Sequence, residues 1–329
     1  GNVMRVFGRN KFYLKNATAI EEIWGINHIV LDKTGTLTWQ SKPEVACSFE
    51  ADEKQKSLIY SLSSQSIHPL SRFIAGHFAK AGSLPVDRFE ELPGKGIEGE
   101  VGGHKVKMGN KEYVVGNKPV AFPANSSVVF VAIDDSYLGY IKIKNKYRPG
   151  IEKFLLQLKE HYKISLITGD NASEKDYLYN LFTKLDIKAT MKFHQSPHDK
   201  REYILHLQDS GDKPLMIGDG LNDAGALKQS DLGVSISEDI NAFSPACDAI
   251  LDADHFTWLP QFLRFGKMGY RIVLISFGIS FLYNIVGLGF AVTGYLSPLV
   301  SAILMPLSSI SVVIFTTLAT RFTAGKMGF

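Results

Sequence analysis

The sequence predicts a doubly wound parallel α/β sheet, an α+β domain inserted into that sheet, and a membrane-spanning helical hairpin near the end of the chain. Three observations predict this fold class. Short apolar strands alternate with segments of helical periodicity. A long stretch with its own pattern separates the first two strands. Residues 272–320 contain no Asp, Glu, Lys, Arg or His.

Three of the apolar strands end in polar residues of the same kind. HIVLD ends at Asp32, ISLITGD contains Thr168 and Asp170, and PLMIGDG contains Asp219. The segments GIEKFLLQLKEHY and DKREYILHLQDSG precede the second and third strands, with apolar residues at helical spacing. Parallel strands place their carboxyl ends at one edge of a sheet, so we expect these polar residues to converge there.

The insertion between the first and second strands is too long for a single crossover connection. It contains helical stretches at 54–64 and 70–80, a glycine-rich turn, and alternating strands such as SVVFVAID. We therefore predict four parts: a helical segment over 1–25, the sheet domain over 26–42 and 144–263, the inserted α+β domain over 43–143, and the hairpin over 264–329.

The uncharged stretch is too long for one membrane span, because a bilayer core of about 30 Å needs only about 20 helical residues. The turn-forming sequence TGYLSP divides it into spans near 272–293 and 298–320. A buried hairpin in a soluble protein is the alternative, but uncharged runs of this length are rare outside membranes. By the positive-inside rule, the cytoplasmic side is the one that carries the flanking basic residues Lys267, Arg271, Arg321 and Lys326.

The overall composition argues against several classes of protein. The net charge of +3 is too small to suggest nucleic-acid binding. The two cysteines, Cys47 and Cys247, make neither a disulfide framework nor a zinc-site pattern, which fits a reducing compartment. Charges are spread through the amino-terminal segment, so it does not have the pattern of a signal peptide.

The strand-end residues have the chemistry of phosphoryl transfer. Clustered carboxylates such as Asp32, Asp219 and Asp223 repel one another and need a cation, and Mg²⁺ prefers oxygen ligands of this kind. The Thr168 hydroxyl and the amide of Gly169 can hold a phosphoryl oxygen, while Lys200 can neutralise its charge. A loop or cap role explains any single Asp equally well, but three strand-end acids together favour a site.

Three motifs, in this order along the chain, resemble the P-type ATPases within the haloacid dehalogenase-like superfamily: DKTGTLT at 32–38, TGDN at 168–171 and GDGLND at 218–223. The resemblance implies that ATP phosphorylates Asp32 and that Asp32, Thr34 and Asp219 hold Mg²⁺. The full set of catalytic residues that it implies is Asp32, Lys33, Thr34, Thr168, Gly169, Asp170, Lys200, Asp219, Asn222 and Asp223.

The position two residues after Asp32 separates a pump from a phosphatase. Phosphatases of this superfamily resemble the pattern DxD, in which the second acid protonates the leaving group and activates water. This chain has Thr34 there. An aspartyl phosphate is therefore expected to persist, which suits a pump that changes shape while phosphorylated.

Within the insertion, SIHPL at 66–70 and GKGIEG at 94–99 resemble the nucleotide-binding domain of the heavy-metal (type IB) branch. The resemblance implies that ATP is bound by His68, Pro69, Gly94 and Gly96, since glycine lets the backbone approach a ligand closely. Two positions depart from the family pattern: Ile67 stands where an acid precedes the His-Pro pair, and Asn145 stands where the family usually has Asp.

The hairpin carries a set of neutral polar and sulfur-containing residues. Each of them alone is more often a packing residue. Together, Tyr283-Asn284 and Met305 with Ser309 resemble the pairs found in copper-type members. A divalent ion would favour a carboxylate, which the hairpin lacks, whereas monovalent Cu(I) suits neutral soft ligands.

The sequence contains neither a TGE motif nor Cys-Pro-Cys. We therefore expect the carboxyl-terminal part of a longer integral membrane pump, a truncated or incomplete gene product, that exports Cu(I) at the expense of ATP. Its catalytic domains would be cytoplasmic, and its partners would be lipid, ATP, the metal and, in principle, a metallochaperone. The alternatives are a membrane-tethered nucleotide-binding or regulatory module and a phosphatase without transport.

Overall fold

The computed structural model describes the whole chain except residues 40–42, 124–126, 145, 170–173, 221, 239–245 and 294–297, and the side chains of residues 298–301, 304 and 305. The chain divides into two compact units. The first unit contains Gly1–Thr36, Pro149–Gly169 and Asn180–Phe329. The second contains Leu37–Arg148 and Asp170–Tyr179. Each unit is described below by itself.

The strands and helices follow one another in the order α1 (Asn2–Arg9), β1 (Phe12–Leu14), α2 (Thr18–Gly25), β2 (His28–Asp32), β3 (Glu44–Cys47), α3 (Glu53–Ser63), α4 (Pro69–His77), β4 (Val86–Leu92), β5 (Gly96–Val101), β6 (His104–Gly109), α5 (Lys111–Val114), β7 (Ser127–Ile133), β8 (Ser136–Lys144), α6 (Ile151–Lys159), β9 (Lys163–Ile167), α7 (Lys175–Lys184), β10 (Ala189–Lys192), α8 (Pro197–Asp209), β11 (Pro214–Gly218), α9 (Ala224–Gln229), β12 (Leu232–Ser237), β13 (Ala249–Asp252), α10 (Leu259–Val292) and α11 (Pro298–Met327).

The first unit is built on a seven-stranded sheet in the order β1-β13-β12-β11-β2-β9-β10. All neighbouring strands are parallel except β1 and β13. The interior strand β2 is buried throughout, as expected for a parallel sheet covered on both faces. Its neighbours are β9 and β11, so the three strands that the sequence analysis singled out lie side by side.

The helical segment predicted over residues 1–25 is interrupted by strand β1. Phe12 in this strand is fully buried and its ring stacks on Phe262 of α10, with 4.9 Å between ring centroids. The apolar side chain thus gains more from the sheet edge and the α10 surface than from a continued helix. The prediction of an all-helical segment is therefore wrong for residues 12–14.

Helix α10 begins within the core of the first unit and not at the start of the uncharged stretch. Phe262 and Phe265 are fully buried, and a side chain at Gly266 would lie 2.9 Å from Ile23 of α2. Farther along, Phe277 and Phe281 are both 66 % exposed. The predicted boundary at 264 therefore falls inside a single helix that starts at Leu259 and is buried mainly over its first three turns.

Two helical stretches of the described chain, Ala253–Val292 and Pro306–Met327, are long and apolar enough to cross a membrane. Helices α10 and α11 pack against each other, and the Tyr283 hydroxyl lies 3.1 Å from the Ser311 hydroxyl across them. The predicted turn over 293–298 falls mostly outside the described residues.

The second unit has a six-stranded antiparallel sheet in the order β3-β8-β7-β6-β5-β4. Helices α3 and α4 pack on one face through a core that includes Leu58, Ile59, Leu62 and Ile74. The predicted fold class, a parallel α/β sheet interrupted by an α+β unit and followed by two apolar helices, is confirmed.

Candidate active site

The carboxylate of Asp32 lies at the end of β2, beside the ends of β9 and β11. In the sheet register, Asp32 pairs with Ile167, one residue before Thr168. Lys200 Nζ, from helix α8, lies 2.6 Å from Asp32 Oδ1 and 2.6 Å from Asp223 Oδ1. All three side chains are almost completely buried. One ammonium group thus bridges two carboxylates at the sheet edge.

A tight turn over Lys33–Leu37 follows Asp32 and brings the chain against Asp219. Gly35 in this turn has a φ of 75°, and a Cβ there would lie 3.0 Å from Asp219 Cβ. Only glycine combines that backbone conformation with so close an approach. The sequence analysis did not assign a role to Gly35. Its signal is that it is the one glycine in a run of hydroxyl residues directly after the strand.

The other residues predicted for this site form its rim and its wall. Thr168 is fully buried, and Gly169 after it is exposed. Asp219 accepts hydrogen bonds from the backbone and side-chain nitrogens of Asn222, at 3.1 and 3.0 Å. Lys33 is buried and Thr34 is half-buried. Asp170 lies outside the described residues.

Burial and like charge strongly perturb the acids of this site. Desolvation, followed by the charge of Asp223, raises the pKa of Asp32 to about 8, although Lys200 acts in the opposite direction. Burial also raises the pKa of Asp223. Burial acts to lower the pKa of Lys200, but the two carboxylates outweigh it and leave that pKa raised. Perturbed groups of this kind are typical of functional sites.

The site has the donor chemistry that a magnesium ion requires. Asp223 Oδ2 is buried and has no hydrogen-bond partner among the described residues. Besides burial, the negative charges of Asp223 and Asp219 raise the pKa of Asp32, and a bound cation would counteract that repulsion. The described residues contain no group of three metal-ligating side chains, but Mg²⁺ typically uses one or two carboxylates and keeps several waters. Asp32 and Asp219 therefore fit such an ion.

A second candidate site is a cavity of about 270 Å³ in the second unit. His68 caps helix α4, and its Nδ1 accepts a hydrogen bond from the Leu70 amide at 3.3 Å, so the ring proton is on Nε2. Pro69 occupies the first turn of the same helix. The residues that line the cavity include His68, Leu70, Ser71, Glu91, Gly94, Lys95, Gly96, Met108, Gly109, Asn110 and Val129.

Two strands approach each other unusually closely along this cavity. A Cβ on Gly96 would collide with the Met108 carbonyl, and a Cβ on Gly109 would collide with the Lys95 carbonyl. Asn110 fixes the same loop, because its Nδ2 donates to the Gly94 carbonyl at 2.8 Å. The sequence analysis did not assign roles to Gly109 and Asn110. The sequence feature that could have indicated them is the dipeptide Gly-Asn at the end of a strand with alternating apolar residues.

The first departure from the family pattern, Ile67, lies outside the cavity of the second unit. Ile67 is 89 % exposed and does not line the cavity. Glu91 lines it instead, so an acidic group is available from strand β4. The second departure, Asn145, lies outside the described residues.

The structure brings only some of the predicted hairpin residues together. Tyr283 is half-buried and pairs with Ser311, whereas Asn284 and Ser309 are exposed. The side chain of Met305 lies outside the described residues. The predicted ion-binding group in the hairpin therefore stays a prediction.

Comparison with protein families defines the class of the first site. Residues 26–231 match the family model of the haloacid dehalogenase-like hydrolases, which is more than half of the chain. The chain belongs to this family. The matched range includes Asp32 at the end of β2, Lys200 of α8 and the whole second unit.

Among individual proteins, the chain is similar to P-type ATPases named for copper transport. A probable copper-importing P-type ATPase A of Enterococcus hirae is 29 % identical over 324 residues, which cover 94 % of this chain and 44 % of the relative. A copper-exporting P-type ATPase of Legionella pneumophila is 29 % identical over 92 % of this chain and 43 % of its own length. The chain thus spans less than half of these relatives. The resemblance to heavy-metal P-type ATPases is confirmed.

Solved structures agree in fold. The catalytic domain of the CPx-ATPase CopB-B is 27 % identical, with a TM-score of 0.61 over 80 % of this chain and 98 % of that domain. A zinc-transporting PIB-type ATPase in an E2.Pi state has a TM-score of 0.74 over 97 % of this chain and 54 % of its own, at 22 % identity. At that identity the likeness concerns the fold alone.

Proposed function

We propose that the chain is the catalytic and carboxyl-terminal membrane part of an ATP-driven heavy-metal pump, with Asp32 as the residue that accepts the phosphoryl group. The observation that carries this proposal is the buried Lys200 bridge between Asp32 and Asp223, beside Thr168. Carboxylate, cation and hydroxyl are the groups that phosphoryl transfer to a side chain requires. Thr34 stands in place of the second acid of a phosphatase.

In this proposal, a carboxylate oxygen of Asp32 attacks the γ-phosphorus of ATP. The new O–P bond forms as the bond to the ADP oxygen breaks, and ADP leaves with that electron pair. Lys200 balances the negative charge near the transferred group, and Thr168 donates to a phosphoryl oxygen. Asp219, fixed by Asn222, would hold Mg²⁺ together with Asp32 and Thr34. A bound magnesium ion would supply charge neutralisation at the phosphoryl oxygens.

The proposal assigns nucleotide binding to the second unit. The cavity there combines a glycine-lined backbone with the Nε2 donor of His68 and the acid Glu91. A volume of about 270 Å³ suits the base of a nucleotide better than its phosphates. The phosphates would then lie outside the cavity. We also propose that the nucleotide-binding domain has borders close to the predicted 43–143, because the second compact unit includes Leu37–Arg148.

Acid-stable labelling from γ-labelled ATP tests the role of Asp32. The wild-type chain with Mg²⁺ should acquire a label that hydroxylamine removes, and Asp32→Asn should acquire none. Asp254→Asn, an exposed acid of the same unit, is the matched control and should label like the wild type. A label that persists in Asp32→Asn contradicts the assignment. Nucleotide binding without any label favours the regulatory module, and rapid phosphate release without a stable label favours the phosphatase.

We propose Cu(I) as the transported ion and export as the direction. The support is the naming of relatives as copper ATPases and the absence of charge from residues 272–320. The candidate ligands in the hairpin are Met305, Tyr283, Asn284 and Ser309.

Metal-stimulated ATPase activity of the full-length gene product tests the assignment of Cu(I). Cu(I) under reducing conditions should stimulate the activity, Zn²⁺ should not, and Met305→Leu should weaken the stimulation while labelling by phosphate persists. Met268→Leu, an exposed methionine earlier in α10, is the control. Inside-out vesicles should accumulate copper. Stimulation by Zn²⁺ alone, or an unaffected Met305→Leu, removes the copper assignment, and depletion of copper from the vesicles reverses the direction.

A further inference from the structure

Two segments without acidic residues meet where the apolar hairpin leaves the first unit. Residues 1–20 and 255–329 contain several Lys and Arg residues but no Asp or Glu. A Cβ on Gly269 of α10 would lie 2.7 Å from a methyl group of Val3 in α1. Asn2 Nδ2 donates to Thr317 Oγ1 of α11 at 3.2 Å. Helix α1 therefore contacts both hairpin helices at one level.

Three exposed arginines lie close to these contacts, one on each helix. Arg5 follows Val3 by two positions, Arg271 follows Gly269 by two, and Arg321 follows Thr317 by four. At 1.5 Å per residue, each arginine is about 3 to 6 Å along its helix from a contact. We call Arg5, Arg271 and Arg321 the arginine collar. None of the three forms an ion pair with an acidic residue of the described chain.

The surroundings of Arg271 indicate where a membrane surface would lie. Its guanidinium is 5.4 Å from the ring of Trp24, which is 39 % exposed and packs against Tyr270 at 5.2 Å. Tryptophan and tyrosine concentrate at the headgroup level of membranes. The side chains that follow in α10, such as Leu274 and Phe277, are apolar and exposed. The arginine collar is thus at the border between a polar and an apolar environment.

We propose that the arginine collar binds the phosphate groups of anionic phospholipids. This proposal rests on the proposed membrane insertion of the hairpin and goes beyond it, because insertion alone requires no preference for lipid charge. Guanidinium presents its N–H donors in a planar fork that matches phosphate oxygens. A cation–π contact with the Trp24 ring does not require hydrogen bonds from the Arg271 guanidinium, so its N–H donors can bind phosphate.

A lipid explains the collar better than a free phosphate ion does. All three arginines are exposed, and in open water such contacts with a small anion are weak. A phospholipid is already held beside the collar by its acyl chains in the bilayer, so its phosphate needs no enclosed site. Juxtamembrane basic residues gain most from leaflets that contain anionic lipid.

Lipid retention by the full 329-residue chain tests the proposal. The chain is placed in nanodiscs of phosphatidylcholine with a minor fraction of phosphatidylglycerol, extracted gently, and the retained lipids are counted by native mass spectrometry. We expect phosphatidylglycerol to be enriched several-fold by the wild-type chain, since each arginine can contribute up to about fivefold, and we expect the enrichment to be lost when all three arginines are replaced. The variant is Arg5→Gln with Arg271→Gln and Arg321→Gln. The matched control replaces three other exposed arginines, Arg72, Arg88 and Arg201, by Gln.

The outcomes separate the collar from the hairpin. Loss of enrichment in the collar variant, with enrichment kept in the control, supports the proposal. Equal enrichment in both variants overturns it, as does displacement of the lipid by inorganic phosphate at millimolar concentration. A collar variant that enters nanodiscs normally but has lost the preference leaves membrane insertion intact. A wild-type chain that stays outside nanodiscs of either composition overturns both proposals.

Discussion

The strand-end site of the first unit and the cavity of the second are built in opposite ways. In the first, buried charged side chains hold one another: Lys200 lies 2.6 Å from both Asp32 and Asp223. In the second, close approach of backbones at Gly96 and Gly109 sets the shape, and few charged groups take part. The first site therefore depends on electrostatics and desolvation, whereas the second depends on steric fit.

Because of this difference, we expect substitutions to damage the two sites in different ways. Removing one member of a buried charged group leaves the others uncompensated in a region that excludes water. Adding one carbon to a glycine that touches a carbonyl forces two strands apart. The two kinds of damage have different pH dependence, and that dependence separates them experimentally.

The largest effect is expected for Lys200→Met. The change keeps most of the length of the side chain but leaves Asp32 and Asp223 without their shared cation, which should lower the free energy of unfolding by about 3–5 kcal/mol at pH 9, where Asp32 is ionised in the wild type. Labelling of Asp32 from ATP should be lost. Urea unfolding of the chain in detergent measures the first effect, and acid-quenched labelling measures the second.

Lys228→Met, in the exposed part of helix α9, is the control for Lys200→Met and should change neither quantity appreciably. Protonation of the two carboxylates should reduce the defect of Lys200→Met at pH 5. A defect that is equal at pH 5 and pH 9 would mean that packing, and not charge, explains the role of Lys200.

The next effect is expected for Gly96→Ala. The new Cβ would meet the Met108 carbonyl, so strands β5 and β6 must separate at the cavity. We expect the second unit to lose more than about 2 kcal/mol of stability and most of its nucleotide affinity, without dependence on pH. Calorimetry and ATP titration measure these changes.

Gly76→Ala provides the matched control for Gly96→Ala. Gly76 lies inside helix α4, and a Cβ there meets nothing within 4 Å. Alanine should stabilise the helix by about 0.5–1 kcal/mol, because glycine is the poorer helix former. If both alanine variants behaved alike, the close approach at Gly96 would not explain the cavity.

The contrast between the sites also explains which parts could be predicted from the sequence. Asp32, Thr168 and Asp219 each follow an apolar strand, and sheet geometry then brings them together at one edge. No such rule connects Gly109 with Gly96, because their contact depends on the register of β5 and β6. The role of Gly35 could not be predicted for the same reason, because its close approach to Asp219 is a tertiary contact between segments distant in sequence.

Boundaries were harder to predict than elements. The predicted hairpin segment begins at 264, a few residues before the uncharged stretch that starts at 272, but α10 is one helix from Leu259 to Val292. A helix can pass from a protein core to an apolar environment without a break in its hydrogen bonds, so composition and secondary structure change at different residues. The strand at 12–14 was missed because its partner β13 is distant in sequence.

A smaller effect concerns the pH dependence of stability at Asp32. Burial raises the pKa of Asp32 to about 8 in the folded chain, from 3.8. The folded state therefore binds this proton more tightly than the unfolded state, and its stability relative to Asp32→Asn should fall as pH rises from about 4 to about 8. Without Mg²⁺, Asp32→Asn should be more stable than the wild type at pH 8 by more than about 1 kcal/mol.

Unfolding of both proteins at pH 5, 6.5 and 8 in EDTA measures this difference. A stability difference that is constant with pH would show that Lys200 keeps Asp32 ionised throughout. Addition of Mg²⁺ should favour the wild type, because a cation stabilises the carboxylate form.

The smallest effect, and the finest test of the cavity, is expected for Asn110→Ser. The Asn110 side chain has two contacts: Oδ1 accepts from the Tyr113 amide and caps α5, while Nδ2 donates to the Gly94 carbonyl, both at 2.8 Å. Serine can keep the cap but cannot reach Gly94 as a donor. We expect the free energy of unfolding to fall by about 0.5–1.5 kcal/mol, typical of one hydrogen bond, and ATP to bind a few-fold more weakly.

Asn110→Ala removes both contacts and should cost about 1 kcal/mol more in stability, with little further change in affinity. If serine binds ATP like the wild type while alanine does not, the helix cap, and not the hold on the glycine loop, shapes the cavity.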